Sequence, residues 1–250
     1  MMRPELVFFS VLFCSTVSLS DASQAQAQTT GTNVVKKEQV GSAIDSALSK
    51  DLIKLTNKST DGDYAATEKA SNELAKRLMQ FLPNKSMLTD PLQKSKDAGL
   101  QIVSSSDHKL RYYTYDTNTG GTMHFFEAFS QYDAGGGKVK FQRLYPPPAP
   151  GEDGSDRGCG AMYTQLETVK TNKGRTIYLA FDTAVFDGMD RAYSIHAVEI
   201  VNGKLVPAKI FKTTTKLLDE ISCAVHAGYG EEGQEISLTE KGKELLNPPI

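Results

Sequence analysis

At Gly99 the hydrophobic pattern of this chain changes period, and the switch divides it into a helical part and a sheet part. Before it, apolar residues recur every three to four positions: Val40, Ile44, Ala47, Leu48, Leu52 and Leu55, then Tyr64, Thr67, Leu74, Leu78, Phe81 and Leu82. Such spacing lines one face of a helix. Asn57 to Asp63 puts polar capping residues and Gly62 between the two runs, so an antiparallel helix pair is predicted. Pro83 stops the second helix, because proline lacks a backbone donor and bars its predecessor from the helical region. A shorter helix is expected from Asp90 to Ala98, ended by Gly99.

After Gly99 the pattern alternates with period two, the mark of half-buried strands. Strands are predicted at Leu100 to Val103, Lys109 to Tyr115, Thr122 to Tyr132, Lys138 to Tyr145, Tyr163 to Lys170, Thr176 to Phe181, Tyr193 to Val201, Lys204 to Phe211, Glu220 to His226 and Glu235 to Leu238. Asn202-Gly203 is the strongest hairpin signal, since both central positions of that turn take positive φ. The expected fold is α+β: an N-terminal helical hairpin packed on a large antiparallel sheet meander that rolls into a sandwich or partial barrel. One connection, Pro146 to Gly160, holds four prolines and four glycines among acidic residues and can form no ladder. Lys241 to Leu246 is read as a last helical turn.

The first residues read as an export signal. Arg3 precedes an apolar run from Leu6 to Leu19 that ends in Ala25-Gln26-Ala27, a small-x-small cleavage site, so a mature start near Gln28 is expected. The run is shorter than the roughly 20 apolar residues a membrane span requires, and serines and a threonine interrupt it. Cys14 does not make it a lipoprotein signal, because Phe13 stands where a small residue is needed. The domain plan is then a signal peptide over 1–27, a polar lead-in over 28–37, helices over 38–98 and strands over 99–250. Periplasmic or secreted location follows.

With 28 basic and 30 acidic residues the chain is nearly neutral, which argues against nucleic acid or an anionic membrane surface as its partner. Loss of Cys14 leaves Cys159 and Cys223, an even count in an oxidising compartment, so one disulfide is expected.

Four places could carry chemistry. In the helix break Asn57, Ser59, Asp61, Gly62, Asp63 and Glu68 fall on positions one, three, five, six, seven and twelve of a calcium loop, with Asn at the first position and Tyr64 at the eighth as departures. A capped turn explains the same residues, and no other cofactor is expected. Acidic residues also gather at Glu152, Asp153 and Asp156, and at Asp182, Asp187 and Asp190, as a hydrolytic carboxylate pair would. His108, His124, His196 and His226 share no metal-ligand spacing, and no nucleophile elbow is present.

The fourth place is the block from Lys109 to Phe126, where aromatics flank a polar turn and Tyr113, Tyr115, Asp116, Thr117, Thr119, Thr122 and His124 make a candidate ligand platform. Here the chain resembles a family of exported bacterial proteins of unknown function that share a helical N-terminal part. Their strand block reads Lys-(Val/Leu)-Arg-x-(Tyr/Phe)-x-(Trp/Tyr)-(Asp/Asn)-Thr, often followed by Gly-Gly-Thr. Arg111, Tyr113, Tyr115, Asp116, Thr117, Gly120, Gly121 and Thr122 match it. The resemblance implies export and a mixed helix and sheet body, with no activity attached.

The expected function is therefore non-catalytic binding of a protein or small molecule at the sheet end formed by the Tyr115 to Thr122 turn and the Pro146 to Gly160 loop. Inhibition of, or immunity to, a cell-envelope hydrolase is one alternative. An envelope hydrolase using the acidic clusters is the other.

Overall fold

In the computed structural model, residues 41–145, 159–226 and 235–238 are described. Residues 41–60 form helix α1, and Tyr64–Phe81 form α2. Ile44, Leu48, Leu52 and Leu55 of α1 are buried against Leu74 and Leu78 of α2, as the spacing predicts. Burying each leucine stabilises the fold by roughly 1.5–3 kcal/mol. Asp63 caps α2 by accepting from the Ala66 amide at 3.0 Å, a contact worth about 1 kcal/mol. The break is shorter than expected: α1 runs through Asn57 and Ser59, and only 61–63 separate the helices.

Beyond Pro83 a 3-10 turn, Lys85–Leu88, leads to a five-residue helix α3, Gln93–Asp97. Its own N-cap residue, Leu92, offers no polar side chain. Asp45 of α1 takes over that task, accepting from the Lys94 amide at 3.0 Å, the Ser95 amide at 2.8 Å and the Ser95 hydroxyl at 2.7 Å. Orphan donors at a helix start need such acceptors, and here a residue remote in sequence supplies one.

Strands β1 (Gln101–Ser104), β2 (Leu110–Asp116), β3 (Phe126–Gly135) and β4 (Lys138–Arg143) form one antiparallel sheet in that order. A second antiparallel sheet contains β5 (Met162–Lys170), β6 (Thr176–Val185), β7 (Asp190–Val201), β11 (Glu220–His226) and β12 (Glu235–Leu238) in spatial order β12-β11-β7-β6-β5. Strand β8 (Lys204–Pro207) pairs with the far end of β7, and β9 (Phe211–Lys212) and β10 (Leu217–Leu218) make a short ribbon. The fold is thus α+β with antiparallel meanders. Among the described residues the strands divide between two sheets and a ribbon, and no barrel closes. Lys204 to Phe211 is not one strand, because Pro207 ends the β7 ladder opposite Val198 and has no donor to continue it.

Both faces of the first sheet are covered. Tyr113, Tyr115 and Phe129 pack against the helices, while Leu110, Tyr112, Ala128 and Tyr132 pack against Tyr163, Leu166, Tyr178 and Ala180 of the second sheet. Ile177 and Ala197 turn to the other face of the second sheet, toward Ala208. Among the described residues no helix is long and apolar enough to cross a membrane. Residues 1–40, most of the Pro146 to Gly160 connection and the Lys241 to Leu246 turn lie outside the described residues.

Candidate functional site

Strand β2 leaves its ladder at Asp116, paired with Phe126 of β3, and the nine residues between them form a loop where a strand from Thr122 was expected. Asp116 organises that loop. One carboxylate oxygen accepts from the Asn118 amide at 2.8 Å, and the other is in close contact with His124 Nδ1. Asn118 and Gly121 take positive φ, 56° and 61°. At Gly120 a Cβ would sit 1.9 Å from the Met123 carbonyl oxygen, so only glycine fits the return. Thr117 donates its amide to the Phe125 carbonyl at 2.8 Å, its hydroxyl is 2.8 Å from that of Thr119, and His124 stacks on Phe126 with ring centroids 6.1 Å apart.

The other wall comes from the helix break. The Ser59 hydroxyl donates to the Asn118 carbonyl at 3.4 Å, and Gly62, Tyr64 and Thr67 continue the surface. Between the walls lies a cleft of about 280 Å³, lined also by Asp116, Thr119, Met123 and His124. Tyr64 is 63% exposed and Met123 37%, so an aromatic and a thioether flank polar groups of both hydrogen-bonding senses. With Nδ1 turned to the carboxylate, Nε2 is the other hydrogen-bonding atom that the His124 ring brings to the cleft.

Not all of the predicted platform faces this cleft. Tyr113 is fully buried, with its hydroxyl 2.5 Å from the Met87 carbonyl and 2.8 Å from Gln131 Oε1. Tyr115 donates to the Ser71 carbonyl at 2.9 Å. Arg111 reaches the Met87 and Asp90 carbonyls, the latter at 2.6 Å, and Gln131 donates to those of Leu82 and Asn84. Arg111, Tyr113 and Gln131 therefore donate to carbonyls of the turn after α2, of which Asn84 also accepts from the Met87 amide within the 3-10 turn. This half of the motif holds the helices to the sheet. Thr117 is buried, and Thr122 is exposed outside the cleft lining.

Of the predicted calcium ligands, Asn57 and Ser59 lie within α1, where residues two apart point to opposite sides. Asp63 is the α2 cap and Asp61 pairs with Lys58 at 3.6 Å. Glu68 stands in α2. Among the described residues no three His, Cys, Asp or Glu side chains gather as a metal site. The loop joins the candidate site through Ser59 and Gly62, by a hydroxyl and a backbone turn, without an alternating set of ligands.

The expected disulfide is not formed: Cys159 and Cys223 are both free. Their positions explain it. Met162, Thr183, Tyr193 and Cys223 form one row across β5, β6, β7 and β11, so three strand spacings of about 4.8 Å separate its ends. Cys159, just before β5, turns away to accept from the Phe126 amide at 2.8 Å. Pairing requires Cα atoms within about 7 Å.

The acidic groups do not form a facing pair. Asp187 accepts from the Met189 and Asp190 amides, both at 2.6 Å, closing the β6–β7 turn. Asp182 points between the sheets to His196, with Oδ2 2.7 Å from Nε2. Glu152, Asp153 and Asp156 lie outside the described residues. Sequence reasoning missed Tyr64, counted there as a core residue, and the meeting of Asp182 with His196. The cap residue Asp63 immediately before Tyr64 was the available signal for the first; the second depends on strand pairing.

Compared with protein-family models, with curated proteins and with solved structures, the chain finds no match in any of the three. Fold and cleft define an open α+β protein with a small polar site.

Proposed function

We propose that this is an exported, non-catalytic binding protein that takes a small, uncharged polar ligand in the cleft between the α1–α2 break and the Asp116 to His124 loop. The observation that carries the reading is convergence: Ser59 to Thr67 and Asp116 to His124, remote in sequence, line one cleft. Asp116 and His124, its carboxylate and imidazole, face each other, which favours an uncharged ligand over a charged one. Its volume lies just below the roughly 300–1,000 Å³ of drug-sized sites, which suits a small molecule better than a protein segment. Export is supported by Arg3, the apolar run and Ala25-Gln26-Ala27.

A thermal-shift screen of neutral, anionic and cationic small molecules tests the charge preference. Neutral compounds should raise the melting temperature, and His124→Ala should abolish the rise. A response to charged compounds alone would refute it.

A second reading has one observation behind it. Asp116 orients His124 as a carboxylate orients a general base, and Ser59, Thr67 and Thr119 place hydroxyls in the same cleft. Turnover of an ester or glycan that disappears in His124→Ala would favour that reading over binding alone.

A further inference from the structure

We propose that the cavity between the turn ends of the two sheets is a second binding site, which takes a small organic anion with an apolar body and holds its charged head against Lys109. The cavity measures about 550 Å³, within the roughly 300–1,000 Å³ of small-molecule sites. It shares no lining residue with the cleft at Asp116. Lys109 precedes β2 and Asp116 ends it, so the strand's whole length, about 23 Å, lies between the two places.

Four turns build the cavity, and they are fastened to one another. Asp133 to Gly135 come from the β3–β4 turn, Gly174 and Arg175 from the β5–β6 turn and Asn202 from the β7–β8 turn, with Lys109 at the end of the β1–β2 turn. A Cβ at Gly203 would stand 2.7 Å from the Ala134 carbonyl oxygen, so the β3–β4 and β7–β8 turns meet where only glycine fits. Beside that contact Lys140 Nζ donates to the Gly203 carbonyl at 2.8 Å. The Tyr178 hydroxyl donates to Asp107 Oδ2 at 2.9 Å, and the Ser106 amide donates to Thr168 Oγ1 at 3.1 Å, which ties the β1–β2 turn to β6 and β5. The walls are therefore set by the fold itself.

The charges around this space do not cancel. Glu199 accepts two bonds from Arg175, from Nε at 3.2 Å and from Nη2 at 2.6 Å. Asp133 accepts from the Gly135 amide at 2.8 Å and has the Lys85 ammonium 3.8 Å away. Each carboxylate in the lining thus has a cation of its own. Lys109, exposed on the wall, forms no ion pair among the described residues. Asp107 lies within reach of its field, but that carboxylate already accepts from the Ser105 hydroxyl, the Lys109 amide and Tyr178. Lys138, Lys173 and Lys204 stand in or beside the hairpin turns and likewise form no ion pair among the described residues. An excess of positive charge around a concave mouth concentrates anions there. Ala134, Ile200 and Val201 line the same space and give the ligand's body apolar contact. The head is a carboxylate or a phosphate, the anionic oxygen groups that an ammonium binds.

Amide NMR titrations of the full chain with hexanoate, hexyl phosphate, hexanol and hexylamine, at millimolar concentration and constant ionic strength, test the site. Hexanoate or hexyl phosphate should shift resonances of 133–135, 174–178 and 199–202 together while Asp116 to His124 stay unmoved, and the compound that responds names the head group. Hexanol and hexylamine should bind at least about fivefold more weakly, and Lys109→Gln should weaken binding of the anion by about fivefold while Lys109→Arg keeps it. No shift with either anion, an equal response to hexanol or hexylamine, or an unaltered dissociation constant in Lys109→Gln would overturn the proposal. The wild-type comparison of anion with amine decides the matter if a variant does not fold.

Discussion

The Ser59 hydroxyl donates to the Asn118 carbonyl at 3.4 Å, joining the end of α1 to the loop that follows β2. It is the link between the helical and sheet parts of the chain at the proposed binding cleft. The bond is exposed and long, so its removal should matter locally. Ser59→Ala is expected to change global stability by less than about 0.5 kcal/mol, yet to speed amide exchange in 117–124 several-fold. Urea unfolding and hydrogen exchange on the same sample would separate the two effects.

The Tyr113 hydroxyl is expected to have the opposite profile. Tyr113→Phe removes the hydroxyl proton that faces Gln131 Oε1 and the Met87 carbonyl in a fully buried setting; Met87 keeps Arg111, and Gln131 Oε1 loses its partner. An unsatisfied buried acceptor costs about 1–3 kcal/mol, so the unfolding free energy should fall by that amount, and the urea midpoint with it, without altering binding at the cleft. An unchanged midpoint would show that water or repacking replaces the phenol.

Alkaline pH should destabilise the protein through the same group of tyrosines. Burial pushes Tyr145 up to about 12, and Tyr112, Tyr113, Tyr163 and Tyr178 higher still. Their folded values exceed the unfolded value of about 10, so stability is fully present below pH 10 and is lost as pH rises through the folded values. At pH 11 the native protein should show about four to five fewer tyrosinates by absorbance than the urea-unfolded chain. Equal absorbance would contradict this burial pattern.

How much was legible in the sequence depended on how local the cause was. Leu74 and Leu78 repeat at helical spacing, and Asn202-Gly203 takes φ of 50° and 68° in the predicted turn. These are set by neighbours along the chain. The division into two sheets was not visible, because β2 is buried on both faces: Tyr112 and Tyr113 enter different cores, and no alternation betrays which. Asp45 capping α3 and Ser59 meeting Asn118 are pairings across about 50 to 60 residues, which periodicity cannot report. The turn residues Asp116, Gly120 and His124 form a unit in the sequence, but the wall opposite them reads there as a separate feature, a capped turn or a calcium loop.

The cysteines give a simple check on the sheet topology. Both thiols should react with an aromatic disulfide reagent in the unfolded protein without prior reduction. In the native state buried Cys159 should lag behind half-buried Cys223. Two unreactive thiols that appear only after reduction would mean that β5 and β11 are not arranged as described.

The most direct test of the binding cleft is an amide NMR titration of the full chain with sugars, polyols and uncharged amides at millimolar concentration. The account predicts that responding compounds shift resonances of Ser59 to Thr67 and Asp116 to His124 together, and that Tyr64→Ala weakens the response. Ligand-induced shifts elsewhere that leave both segments unmoved, or no shift with any neutral compound, would contradict it.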